Sequence, residues 1–159
     1  MTAVIKTNRI LVHAPLKTAF EYVSDLSCHP EWNDGLKIEE VTPDPIAIGK
    51  EYTSHGVVAV QKDRPNRIRV SEYEPPHKFG FISGDPDFGE VSHLFTFSAQ
   101  DEDVHVTRTM TVEMNPVMTL LFNVFIYPII SGPSMNKSMA ALKMRLEENA
   151  GVSSPDKSR

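Results

Sequence analysis

The chain has 159 residues, a formal net charge of -5 and a single cysteine. This length predicts one compact domain over residues 1–150, followed by a flexible polar tail at 151–159. A single cysteine excludes a disulfide framework and a multi-cysteine metal site, and the acidic balance argues against a nucleic-acid partner.

The beginning of the chain predicts a strand followed by two short helices. Residues 3–13 are rich in β-branched side chains with rough alternation, which indicates a strand. Pro15 ends this strand, and apolar residues then recur at helical spacing over residues 15–26. Ser27 is expected to cap a second short helix that contains Trp32.

Six further strands are expected between the short helices and the C-terminal region, because short strand-like runs alternate there with turn residues. They are predicted at 36–42, 49–58, 60–74, 77–83, 89–98 and 103–114. Residues 61–66 leave a turn open as an alternative to a strand. The short connections favour an antiparallel meander of seven strands in all.

The C-terminal region predicts one long helix. Asn115 and Pro116 are typical of an N-cap and of the first helical position. Pro128 and the pair 132–133 are expected to kink or break this helix. Beyond Ser134 one apolar stripe is predicted to face the sheet, formed by Met135, Met139, Leu142 and Leu146.

The apolar run from Val117 to Ile130 has 14 residues, fewer than the roughly 20 that cross a bilayer. We therefore expect no integral membrane segment, and the absence of a secretory leader favours a cytoplasmic location. A peripheral contact with a membrane or with another protein, a homodimer included, stays open for residues 117–130. Their lack of Lys and Arg argues against ordinary binding to an anionic membrane.

Two polar residues interrupt the apolar faces of adjacent strands. His93 shares its face with Val91, Phe95 and Phe97, and Arg108 shares its face with apolar residues of the last strand. If these strands form a hairpin, two registers fit the faces. His93 lies opposite Arg108 in one register and diagonal to it, with Phe95 opposite Arg108, in the other. Both registers bring an imidazole and a guanidinium within reach of each other.

This pair is the leading candidate for a polar anchor inside an apolar cavity. Two structural alternatives stay open: Arg108 pairs with a carboxylate such as Glu72 or extends to the sheet margin, and His93 satisfies a core hydrogen bond. Trp32 is most simply a core residue beside Phe20, with a pocket-lining role as the alternative. The predicted ligand-binding residues are His93, Arg108, Phe79, Phe81, Phe95, Met110, Val112, Met135, Met139 and Leu142. No catalytic residue, metal site or cofactor is predicted.

Several segments together resemble a known family over residues 3–149. They are Ala14-Pro15, 19–26 (AFEYVSDL), 29–32 (HPEW), 49–52 (GKEY), 70–79 (VSEYEPPHKF) and 104–112. The chain resembles the polyketide cyclase/dehydrase and lipid-transport family of the START-related (SRPBCC, helix-grip) superfamily. The resemblance implies an α+β helix-grip fold, with a seven-stranded antiparallel sheet curved around a long C-terminal helix, two short helices after the first strand, and a deep apolar cavity between sheet and helix.

The resemblance also implies a small hydrophobic or amphipathic ligand, such as a lipid, isoprenoid, sterol or polyketide. It implies no catalytic set, since the matching residues occupy turn, cap and packing positions. The first hypothesis is therefore ligand binding or transport without catalysis. The alternative is a polyketide cyclase/aromatase or dehydratase, in which a pocket His acts as acid or base and an Arg polarises a carbonyl.

Overall fold

The computed structural model describes residues 1–41, 43–58, 61–85 and 89–152. The tail predicted at 151–159 lies outside the described residues from position 153 onwards. The first two residues assigned to that tail still belong to the last helix.

The order of elements is one strand, two short helices, six strands and a long helical region. The elements are β1 (Thr2–Val12), α1 (Leu16–Ser24), a 3-10 helix (Leu26–Glu31), β2 (Lys37–Glu40), β3 (Glu51–Val58), β4 (Gln61–Glu74), β5 (Lys78–Asp85), β6 (Gly89–Gln100), β7 (Asp103–Met114), α2 (Pro116–Leu121), a π-helix (Phe122–Ser131) and α3 (Gly132–Val152). This order is the predicted one.

The seven strands form one antiparallel sheet in the order β1-β7-β6-β5-β4-β3-β2. Consecutive strands pair from β2 to β7, and β1 closes the order by pairing with β7 over their full lengths. Residues 61–66 are strand, because β4 continues through them to Glu74. The meander and the α+β helix-grip architecture predicted from the sequence are thus confirmed.

The core lies between the concave face of the sheet and the apolar stripe of α3. Met139, Leu142 and Leu146 are fully buried on the helix, and Phe79 and Phe95 are fully buried on the sheet. Burying each such side chain contributes about 1.5–3 kcal/mol. These side chains fill the space between sheet and helix.

Of the two N-cap residues predicted from the sequence, Asn115 and Ser27, the structure confirms only Asn115. Asn115 accepts a hydrogen bond from the backbone N–H of Met118, as an N-cap residue does. Ser27, however, does not cap the 3-10 helix. The cap is Asp25, whose carboxylate accepts from the backbone N–H of Ser27 at 3.0 Å. The helix therefore begins at Leu26, one residue before the predicted cap.

Of the kink or break expected at Pro128 and the pair 132–133, the break does not occur, because a π-helix continues the helical region there. The π-helix carries the chain through Pro128, and the N–H of Gly132 donates to the carbonyl of Tyr127, five residues earlier. The wider turn absorbs a proline ring that would clash with the carbonyl four residues before it in an α-helix.

The helical region is therefore continuous from Pro116 to Gly151, and by length and apolar composition alone it is able to cross a membrane. The sequence argument against a span counted only 14 residues and assumed an interruption at Pro128. Because the continuous helical region has 36 residues, the argument that it is too short to span a bilayer is wrong. The absence of an integral membrane segment stays a prediction.

Candidate functional site

A cavity of about 110 Å³ lies between the concave sheet face and the segment that joins the 3-10 helix to β2. Its lining combines apolar and polar side chains: Leu26, His29, Trp32, Asn33, Leu36, Ile38, Ser54, Asn66, Ile68, Phe81, Ser83, His93, Phe95 and Arg108. Residues of α3 do not line it. The cavity thus differs in place and size from the deep space between sheet and C-terminal helix that the resemblance implied.

The register between β6 and β7 decides how the two predicted anchors meet. Phe95 lies opposite Arg108, and His93 lies opposite Met110. This is the second of the two registers compatible with the sequence, so His93 is the diagonal neighbour of Arg108. Both side chains reach the cavity from neighbouring strands.

Arg108 has three neutral neighbours. One terminal nitrogen, Nη2, lies 3.4 Å from Nδ1 of His93, and the other, Nη1, donates to Oγ of Ser138 on α3 at 3.3 Å. The guanidinium carbon lies 5.7 Å from the centre of the Phe95 ring. Within the described residues no carboxylate forms an ion pair with Arg108. Glu72, the partner considered from sequence, instead pairs with Lys78.

Burial changes the acid–base properties of the pair. It lowers the pKa of Arg108 from 12.5 to about 10, which still leaves the guanidinium charged at neutral pH. Burial and the adjacent charge of Arg108 lower the pKa of His93 well below 6.5, so its imidazole is neutral. Because Nδ1 of His93 faces the guanidinium, it accepts, and the ring proton resides on Nε2.

Three buried polar atoms on the cavity lining have no hydrogen-bond partner within the described part of the chain. They are Nε1 of Trp32, Oδ1 of Asn66 and Nε of Arg108. Most buried polar groups in folded proteins are paired, and an unpaired one is costly. Two donors and one acceptor therefore remain available around one small space.

His29 also borders the cavity but has a structural contact. Its Nε2 donates to the backbone carbonyl of Val23 at 2.7 Å, and its side chain is almost completely buried. Burial is the main cause that lowers its pKa from 6.5 to about 4. His29 thus helps to fix the 3-10 helix against α1 in its neutral form.

The structure separates the ten predicted ligand-binding residues into four groups, the last of which is Met135 alone. His93, Arg108, Phe81 and Phe95 line the cavity. Phe79, Met139 and Leu142 lie in the main core. Met110 and Val112 belong to a second apolar cluster with Val4 and Phe122, and Met135 is buried on α3.

Sequence reasoning did not select the polar lining residues on the opposite side of the cavity. Ser54 and Asn66 lie opposite each other on β3 and β4. Alternation carried a usable signal, since Ser54 follows the buried Tyr52 by two residues and Asn66 precedes the buried Ile68 by two. Trp32 is a buried residue of the main core, as expected, and it also lines the cavity, where it contacts His29 and Phe95.

A second, larger depression of about 730 Å³ is an open groove between the end of β1, the β6–β7 turn and the end of α3. Four carboxylates border it: Asp101, Glu102, Asp103 and Glu147. Asp103 and Glu147 already accept hydrogen bonds from His13. We place the candidate site in the smaller cavity, because that cavity holds the unpaired buried groups. Among the described residues no group of His, Cys, Asp and Glu side chains is arranged to hold a metal ion.

No family model and no curated protein matches the sequence. Solved structures do match. The protein TTHA0849 from Thermus thermophilus superposes with a TM-score of 0.70 at 15% identity, over 95% of this chain and 100% of that chain. A norcoclaurine synthase point mutant from Thalictrum flavum, in complex with a transition state analogue, superposes with a TM-score of 0.71 at 11% identity, over 93% and 96%.

A third similar structure is the di-domain ARO/CYC StfQ from the steffimycin biosynthetic pathway. It superposes with a TM-score of 0.70 at 15% identity, over 94% of this chain and 53% of that chain. Likeness at such low identity shows the fold alone. The chain therefore has the α+β helix-grip fold that these structures share, as the sequence predicted.

Proposed function

We propose that the protein binds a small molecule with an apolar body and an oxygen-bearing, anionic or strongly polarised head, held in the cavity beside Arg108. The observation that carries this proposal is the partly buried guanidinium, which has no carboxylate partner among the described residues and an unpaired Nε. An unpaired buried cation is costly to the free protein, so a ligand oxygen that pairs with it gains affinity.

The other unpaired groups limit the chemistry of the head. Arg108 and Trp32 offer N–H donors, and Asn66 offers an acceptor. A carboxylic acid, an enol or a phenol with a neighbouring carbonyl supplies both acceptor and donor atoms. The rings of Phe81 and Phe95 supply the apolar contact for the rest of the molecule.

The size of the cavity limits how the ligand enters. Ligand pockets usually have about 300–1,000 Å³, whereas this cavity has about 110 Å³. We infer that binding moves the turn between Trp32 and Leu36 outward. This turn covers the cavity and is held to α3 by an exposed ion pair between Asp34 and Lys137 at 2.8 Å.

Native mass spectrometry of freshly purified protein, followed by identification of any released molecule, tests the proposal. We expect a stoichiometric adduct that Arg108→Gln loses and that Arg67→Gln keeps, since Arg67 is an exposed arginine on β4. A clean mass in the wild type that does not change on adding fatty acids, quinones or phenolic polyketides contradicts the proposal. Equal binding by the Arg108 variant contradicts the role of the anchor.

A second candidate is catalysis of a cyclisation or dehydration, favoured by the contact between Arg108 and a neutral His93 in the cavity. In that case His93 acts as general base and Arg108 stabilises the developing enolate. The strongly lowered pKa of His93 makes its imidazole a weak base, which is why binding ranks first. The test is incubation with a poly-carbonyl substrate: loss of water that His93→Ala abolishes and His105→Ala retains supports the enzyme.

A further inference from the structure

The helical segment from Pro116 to Ile130, here called the apolar segment, is exposed although it is almost entirely apolar. Eight large apolar side chains are exposed on it: Val117, Met118, Leu120, Leu121, Val124, Phe125, Ile129 and Ile130. Val117 is 77% exposed and Ile129 is 68% exposed. Soluble proteins rarely leave a contiguous apolar surface of this kind without a function.

Two features of the apolar segment indicate what covers it. First, the exposed side chains extend around the helix except on one side, where Phe122 is buried and Ile126 and Tyr127 are half-buried against the sheet. Second, Asn123 is its only exposed polar residue, and no Asp, Glu, Lys or Arg occurs between Glu113 and Lys137.

A second copy of the chain fits these features poorly. A two-fold contact covers one side of a helix, and protein interfaces carry a polar rim with about one hydrogen bond per 100–200 Å². A hydrocarbon phase covers all exposed sides of a helix and needs no such partners. The features of the apolar segment therefore favour lipid over protein.

The contacts of the apolar segment favour lying on a bilayer over crossing it. Phe122 packs against Val4 and Val112, so one side of the segment is attached to the sheet. Beyond it the same helix carries Lys137 and Lys143, which are exposed. The attached side keeps the segment at the edge of the domain, where its free sides enter the interface.

The apolar segment is also close to the candidate cavity. Arg108 and Val112 lie on the same face of β7, about 13 Å apart along the strand. Arg108 lines the cavity, whereas Val112 lies under the segment. Met110 lies between them on the same face of the strand, so the segment covers the part of the sheet next to the cavity.

We propose that the apolar segment docks the protein on the surface of a lipid bilayer by inserting its apolar side chains, without requiring anionic lipid. This goes beyond ligand binding and does not depend on it. The single cation in contact with the segment is Lys6, whose Nζ lies 4.2 Å from the centre of the Tyr127 ring, as far as the described residues show. Insertion rather than charge therefore drives the contact.

Flotation of the full chain with phosphatidylcholine vesicles tests this proposal. We expect the wild type to float with the vesicles equally well at low and at high salt. The double variant Phe125→Ser/Ile129→Ser is expected to partition at least tenfold less, because it removes two exposed apolar side chains. The matched control is Ile5→Ser/Met144→Ser, which removes two side chains of similar exposure outside the segment and keeps flotation.

Three outcomes overturn the proposal. The first is a wild type that stays in solution, and the second is flotation that needs anionic lipid and disappears at high salt. The third is a stable dimer in sedimentation velocity that Phe125→Ser/Ile129→Ser converts to a monomer, which assigns the segment to a second copy. Circular dichroism and thermal unfolding of each variant confirm that the comparison is between folded proteins.

Discussion

Arg108 and His93 lie on neighbouring strands with Nη2 of Arg108 3.4 Å from Nδ1 of His93, and this contact joins a partly buried cation to a neutral imidazole. A guanidinium in an apolar surrounding is normally paired with a carboxylate. Here its neighbours are His93, Ser138 and the ring of Phe95. The unpaired charge of Arg108 therefore lowers the stability of the free protein, and a ligand oxygen that pairs with it gains affinity.

The cost to folding predicts an unusual response to mutation. Arg108→Met removes a buried charge and keeps an apolar side chain, so we expect the free energy of unfolding to stay unchanged or to rise by about 1 kcal/mol. Urea denaturation measures this change, with Arg67→Met as the exposed control. A loss of about 3 kcal/mol or more would mean that Arg108 has a structural partner, which would weaken the proposed anchor.

The buried histidines predict a loss of stability in mild acid. The pKa of His29 is about 4 in the folded chain, below its ordinary 6.5, so only the unfolded chain takes up a proton between these values. The free energy of unfolding is therefore complete above pH 6.5 and falls by about 3 kcal/mol as the pH drops to 4. His93, whose pKa is also lowered, adds to the loss in the same direction.

Urea denaturation across this pH range measures the loss from His29. The variant His29→Gln keeps a donor for the carbonyl of Val23 and removes the titration, so we expect a flatter pH dependence. The exposed His13 provides a control of opposite sign: its hydrogen bond with Asp103 raises its pKa, so His13→Gln should keep the acid loss and make it steeper. A pH dependence that His29→Gln does not change would contradict the assignment.

The π-helix predicts a strict need for glycine at position 132. A Cβ there would lie 2.8 Å from the carbonyl oxygen of Tyr127, and this oxygen belongs to the backbone that holds the turn. We expect Gly132→Ala to lower the free energy of unfolding by about 1–3 kcal/mol. Gly151→Ala, in open space on the same helical region, should be neutral or slightly stabilising. Equal effects of the two substitutions in thermal unfolding would contradict the packing argument.

The ion pair between Asp34 and Lys137 predicts how the cavity opens. Both side chains are exposed, so Lys137→Met should leave the free energy of unfolding nearly unchanged. It should nevertheless speed the opening of the turn over Trp32, the only tryptophan in the chain. Hydrogen exchange of the Trp32 indole N–H, followed by NMR, reports this opening without any ligand.

We expect severalfold faster indole exchange in Lys137→Met and a similar acceleration of the wild type at high salt. Lys17→Met, which breaks an exposed ion pair with Glu21 on α1, serves as the control and should not change the rate. If Lys137→Met also leaves the rate unchanged, the turn does not control access to the cavity.

Local sequence patterns predicted the strands and the start of the C-terminal helix, but they did not fix how the strands pair. Alternation located the seven strands, and Asn115 and Pro116 located the start of the C-terminal helix. Matching faces also reduced the pairing of His93 with Arg108 to two registers. Alternation has a period of two, however, and cannot distinguish registers that differ by two residues. Only the pairing of β6 with β7 selected the diagonal arrangement.

The sequence by itself determined the order of elements, the apolar faces of the strands and the uncharged run before Lys137, because these depend on residue type and period. The tertiary structure alone decided that Met139 and Leu142 fill the space beneath α3, and that the remaining cavity lies under Trp32. Packing sets these features, because the volume left between elements depends on how side chains from distant positions fit together.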